Sequence, residues 1–226
     1  MQIRTRSRCG NRLDWIEGRT YCRLGQYEEA RKLYESCTAL IEEATTVDAW
    51  MNAAITYACG LVDVKEGSLS AARTRLHALR TLCSKVRESD PQHHLMAEDY
   101  RMMLEGDLLL AEGHAVDAID LCQRRPELAI PSMPSSDALF YNFPFERDVL
   151  ARAYVADASH QEAIAEYETL VAFDPSGKDR RLVHPLFHYR VGGLYQRQGF
   201  MEKAMTPVPK TSRDCNVRWY QLGGDA

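Results

Sequence analysis

Apolar residues along most of this chain recur at three- and four-residue intervals, the period of one face of an α-helix. In "CRLGQYEEARKLY", Cys22 to Tyr34, a glycine ends one such stretch and Ala30 and Tyr34 begin the next. "SAARTRLHALRTLCSKV" predicts a long helix without Gly or Pro. Two stretches break the period. "RPELAIPSMPSSDALFYNFPF" carries Pro126, Pro131, Pro134 and Pro144 and reads as loop, and "DPSGKDRRLVHP" reads as a shorter one. After Ala204, Pro207 and Pro209 stop a helix, and no helical period follows. Residues 206–226 are therefore expected to form an irregular or disordered tail.

The helical stretches repeat. Gly18 and Gly25 are followed by Ala30 and Tyr34, Gly60 and Gly67 by Ala72 and Leu76, and Gly106 and Gly113 by Ala118 and Cys122. Ala151 and Ala158 replace the glycines in a fourth copy, ahead of Ala163 and Tyr167; Gly192 and Gly199 open a fifth, ahead of Ala204. Each small residue has its own reason. A glycine inside a helix costs about 1 kcal/mol against alanine, so the first implies a close approach by a neighbouring helix. The second suits the left-handed position that ends a helix. The alanine five residues later starts the inner face of the next helix, and the apolar residue four further on lies one turn along it. Each copy thus reads as a helix–turn–helix hairpin that cannot bury its own apolar face alone. The expected fold is all-α: an α-solenoid of stacked antiparallel hairpins sharing one core.

This arrangement resembles the tetratricopeptide repeat, with its pattern W-x2-L-G-x2-Y, then A-x3-F, then P. The first copy matches with Gly18, Tyr21, Gly25, Tyr27, Ala30 and Tyr34; the fourth with Leu150, Tyr154, Ala163, Tyr167 and Pro175; the fifth through "YRVGGLYQRQGFMEKA". In the second and third, Asp63 and Leu109 stand where Tyr is expected. First-residue spacings of 42, 46, 45 and 41 exceed the usual 34 and place the extra residues in longer second helices and loops. The resemblance implies a right-handed superhelix over residues 11–205, with hairpins near 11–44, 48–88, 94–125, 138–174 and 184–205, after an N-terminal extension at 1–10. It also implies a non-enzymatic scaffold that binds a peptide or protein segment in a concave groove. The stretch from "DPSGKDRRLVHP" through "QGFMEKA" also resembles the C-terminal repeat regions of larger bacterial signalling proteins. The alternative is then a regulatory module whose effector domain is not on this chain.

Charge and motifs narrow the chemistry. A net charge of −4 with interspersed signs gives no basic face for nucleic acid. No apolar run reaches the length of a membrane span, and the basic N-terminus is not followed by a signal-type apolar region. Seven scattered cysteines without a C-x-x-C pair suggest free thiols in the cytoplasm. His184 and His188, four apart, have no intervening glutamate or third ligand, and His93 and His94 read as a helix start. No nucleophile elbow or phosphate loop is present, so neither a reaction nor a cofactor is expected. The Lys–Asn set of a carboxylate clamp is also missing. The groove is expected at the positions six and three before each first small residue: Arg12 and Trp15, Ala54 and Tyr57, Tyr100 and Met103, Phe145 and Asp148, Leu186 and Tyr189. Arg19, Arg152, Arg190 and Arg197 lie close by. Tyr57, Tyr100 and Tyr189 are expected to be partly exposed there, as aromatic contacts for a partner; the alternative is that the aromatics are core and pack against the neighbouring hairpin.

Overall fold

The computed structural model of the chain describes residues 6–42, 49–91, 93–125, 147–172 and 185–204. These form ten helices and, among the described residues, no strand. In order they are α1 Arg6–Arg23, α2 Tyr27–Glu42, α3 Ala49–Lys65, α4 Leu69–Ser89 and α5 His94–Ala111. Then follow α6 Ala115–Gln123, α7 Val149–Ala156, α8 His160–Val171, α9 Pro185–Arg197 and α10 Met201–Ala204. Consecutive helices pack on one another, and α1, α3, α5 and α7 also touch in succession. The helix α1 begins at Arg6, inside the stretch read as an extension. The long Pro-rich segment, the shorter loop up to His184 and residues 206–226 lie outside the described residues.

One turn joins the helices of all five hairpins. The N–H of the turn residue donates to the carbonyl three back, and the next N–H donates to the carbonyl five back. In the first hairpin these are Gly25 to Cys22 and Gln26 to Tyr21; in the last, Gly199 to Gln196 and Phe200 to Tyr195. This is the Schellman pattern, which satisfies carbonyls left open at a helix end. It needs a left-handed residue. Gly25, Gly67, Gly113 and Gly199 have φ between 73° and 84°, and Ala158 takes the same conformation at φ 62°. After the turn, Ala30, Ala72, Ala118 and Ala163 are completely buried, as the inner-face reading expected. In the fifth hairpin the second helix is the four-residue α10, and Ala204 is half-buried.

The first small residues mark close approaches. A Cβ on Gly18 would lie 2.6 Å from Tyr34 Cε1, across its own hairpin. On Gly60 it would meet Leu104 Cδ2 at 2.6 Å, and on Gly106 Val149 Cγ1 at 2.7 Å; both neighbours belong to the next hairpin. Both also touch the second helix of their own hairpin: the Cβ would lie 3.2 Å from Arg75 Cβ at Gly60 and 3.5 Å from Cys122 Sγ at Gly106. At Gly192 the nearest atom is the Ala204 carbonyl oxygen at 3.6 Å, an ordinary contact.

The main core runs through the first three hairpins and reaches Val149. A second gathers Ala151, Ala163, Tyr167, Phe187 and Leu194 from the last two, and Ala118, Ile119 and Ala153 form a small cluster between α6 and α7. Each fully buried Leu or Phe contributes about 1.5–3 kcal/mol. Within the main core the rings of Trp50 and His93 stack at 5.2 Å and those of Tyr57 and Tyr100 at 5.1 Å, holding α3 and α5 in one register.

A guanidinium–carboxylate pair crosses every joint between consecutive hairpins. Arg31 donates to Asp63 at 2.8 Å, Arg80 to Glu105 at 2.7 Å and Arg152 to Asp107 at 2.6 Å, while Arg190 donates to Asp148. In the first two joints the arginine lies on the earlier hairpin. In the last two it lies on the later one. The third hairpin therefore supplies a carboxylate on both sides.

Candidate binding pocket

The ends of α1 and α3 come together with the starts of α7 and α9 around a half-open pocket of about 190 Å³. Cys22 and Arg23 enter from α1, Tyr27 from α2 and Lys65 from α3. Asp148, just before α7, Arg152, and Leu186 and Arg190 of α9 form the facing wall. Local sequence places them. Arg23 and Lys65 both sit two residues before the turn glycine, in the last turn of a helix, where a cation also complements the helix dipole. Asp148 and Leu186 occupy the positions three and six before a first small residue, which were assigned to the groove.

Asp148 is the hub of the facing wall. Its side chain is 1% exposed. It accepts from Arg152 Nε at 3.1 Å, from Tyr167 Oη at 2.9 Å and from Arg190 Nη1. Arg152 also donates to Asp107, which is as deeply buried. Burial opposes the charge on Arg152, but the attraction of Asp107 and the hydrogen bond to it outweigh that, and its pKa is raised. Desolvation pushes the Tyr167 hydroxyl up to about 12, so it remains a donor.

The pocket thus presents four cationic side chains and one carboxylate. A guanidinium has five N–H donors. Arg152 commits two of them to its two aspartates among the described residues. Lys65 is exposed and makes no ion pair with a described residue. The volume is below the roughly 300–1,000 Å³ typical of pockets for drug-sized ligands and suits one side chain.

The structure divides the residues singled out in the sequence. Arg152 and Arg190 line the pocket. Tyr189 is 75% exposed, as expected, and Arg197 is exposed at the end of α9. Phe145 lies outside the described residues. The others require correction. Tyr57 and Tyr100, expected at the surface, are 1% and 2% exposed and stack on each other. Trp15, Arg19 and Met103 are buried too, with the Arg19 guanidinium 4.6 Å over the Trp15 ring. The reason is the contact between successive first helices, which takes up the face on which these side chains lie. Cys22, Arg23, Tyr27 and Lys65 were not foreseen. Arg23 and Lys65 hold the same place before the turn as Arg197, a signal that a repeat-by-repeat comparison of basic residues would have found.

His93 and His94 make local contacts at the start of α5, and His184 lies outside the described residues. His93 precedes α5 and contacts Asp90 Oδ2 at 2.6 Å, and His94 contacts the Pro91 carbonyl at 2.7 Å. Burial lowers the pKa of His188. Among the described residues no group of three or more His, Cys, Asp or Glu could hold a metal ion, and no helix is long and apolar enough to cross a membrane. The chain matches no protein-family model and no curated protein.

Proposed function

We propose that this chain is a tetratricopeptide-like α-solenoid acting as a non-enzymatic scaffold, with the pocket between its first helices as the seat of a partner's peptide segment. The observation that carries the reading is the pocket itself. Residues far apart in the chain, from Cys22 to Arg190, line it because first helices of four hairpins face one space. Five hairpins closed by the same turn, four of them with the same buried alanine, support the repeat assignment. Five buried cysteines scattered singly over the described helices fit a reducing, cytoplasmic setting.

The test is to fill the space without changing its charge. Leu186→Trp adds bulk at the half-buried edge of the pocket. Affinity capture from the source cell with mass spectrometry should retain a specific protein on the parent chain and lose it on the Leu186→Trp variant, at equal helicity. An identical retained set on both chains would refute the pocket as the binding seat.

A further inference from the structure

The lining of the pocket is more specific than a general peptide groove. One wall carries Arg152 and Arg190, both held in place by the buried Asp148. Lys65 and Arg23 stand on the other wall, at the ends of α3 and α1. Asp148 accepts from Arg152 Nε and from Arg190 Nη1, and among the described residues it is the one carboxylate lining the space. Three N–H groups of Arg152 are uncommitted among the described residues, and Lys65 makes no ion pair with a described residue. Leu186 and Tyr27 add apolar surface beside these charges. Asp107 and Asp148 balance the charges of Arg152 and Arg190, and Lys65 adds a cation that no described carboxylate pairs. An anionic guest that reaches Lys65 and the remaining N–H groups of Arg152 gains charge-assisted hydrogen bonds, which are about twice as strong as neutral ones.

We infer that the pocket seats the carboxylate of an Asp or Glu side chain from the bound segment, clasped between Arg152 and Lys65, with a neighbouring apolar side chain against Leu186 and Tyr27. This rests on the peptide-binding reading above and names the chemistry of its ligand. The space admits one such side chain and not a large cofactor. Recognition is by charge and size at a fixed point, so the rest of the segment is free to vary.

Phage-displayed random dodecamer peptides, selected on the full chain, supply the probe. Selected peptides should share an Asp or Glu next to an apolar residue. Replacing that acid by its amide should weaken binding at least about fivefold, and raising the salt should weaken the parent peptide more than the amide. Lys65→Glu, at an exposed position, should lower affinity for the acidic peptide by a similar factor, with a melting temperature lowered only slightly by the lost cation at the end of α3. Arg23→Gln provides a second variant, with a smaller loss expected. Selected peptides without an acid, or an affinity indifferent to the amide replacement and to Lys65→Glu, would overturn the inference and leave the scaffold reading standing. A parallel arm titrates free glutarate and follows the melting temperature. If no peptide is selected while glutarate stabilises the parent chain but not the Lys65→Glu variant, the anion site is real and serves a small molecule; the peptide carboxylate is then overturned along with the scaffold reading. If neither probe binds, both fall.

Discussion

Ala158 is the residue at which the repeat departs from its own rule. It holds φ 62° where the other four turns use glycine. An L-residue there costs about 1–2 kcal/mol, whereas glycine gives up about 0.5–1 kcal/mol of unfolded-chain entropy. Ala158→Gly should therefore stabilise the fold by about 0.5–1 kcal/mol and raise the melting temperature by about 1–4 °C, as calorimetry would register. Two helical glycines should respond with opposite signs. A Cβ on Gly193 meets nothing within 4 Å, so Gly193→Ala should gain up to about 1 kcal/mol of helix propensity. At Gly18 the new Cβ would sit 2.6 Å from the Tyr34 ring, and Gly18→Ala should cost about 1–2 kcal/mol after the same propensity gain. Denaturant melts of the pair would check this, and a stabilised Gly18→Ala would disprove the close packing of α1 on α2.

At the scale of elements, α3 explains what the sequence could and could not show. Eleven of its residues are buried, among them Trp50, Ala53, Tyr57, Gly60 and Asp63, so it has no wide polar face. A helix that is apolar nearly all round gives no period from which to choose an inward side. That is why Tyr57 and Tyr100 could be placed on the right helices and yet on the wrong side. The turns and the buried alanines were legible because local backbone geometry dictates them within a few residues. The pocket was half legible: Arg152, Arg190, Asp148 and Leu186 follow from repeat position, whereas Arg23 and Lys65 join them only because the ends of α1 and α3 border the same space as the starts of α7 and α9. The corrected position of the tyrosines has a measurable consequence. Tyr57→Ala should cost about 3–5 kcal/mol, as large core truncations do, and Tyr100→Ala a similar amount. If the double variant loses much less than the sum, the stacked pair is acting as one contact. Urea melts of the single and double variants would measure both.

For the molecule as a whole, buried thiols set the upper limit of the pH range. Burial pushes Cys37 and Cys83 up to about 12, and Cys59 and Cys122 up to about 11, from an ordinary 9.0. The native chain then keeps protons that the unfolded chain releases. Stability from these groups is complete below about pH 9 and is lost as the pH rises toward 11 and 12. Melting temperatures measured between pH 8 and 11 should fall with rising pH. With Cys9, Cys22 and Cys215 replaced by Ser, these four thiols should resist an aromatic disulfide reagent at pH 8 until the chain is unfolded; rapid labelling of the folded chain would contradict their burial. The charge pairs that cross the joints bear on how such an array can grow. Asp107 and Arg152 hold the same place in successive copies, one residue after the first small residue, and they bind each other. Were the third hairpin copied in tandem, Asp107 would meet its own duplicate, carboxylate against carboxylate, in a buried seam. Unequal crossing-over at that point would yield a longer gene and a worse protein, so lengthening by simple duplication is closed to this chain at its centre.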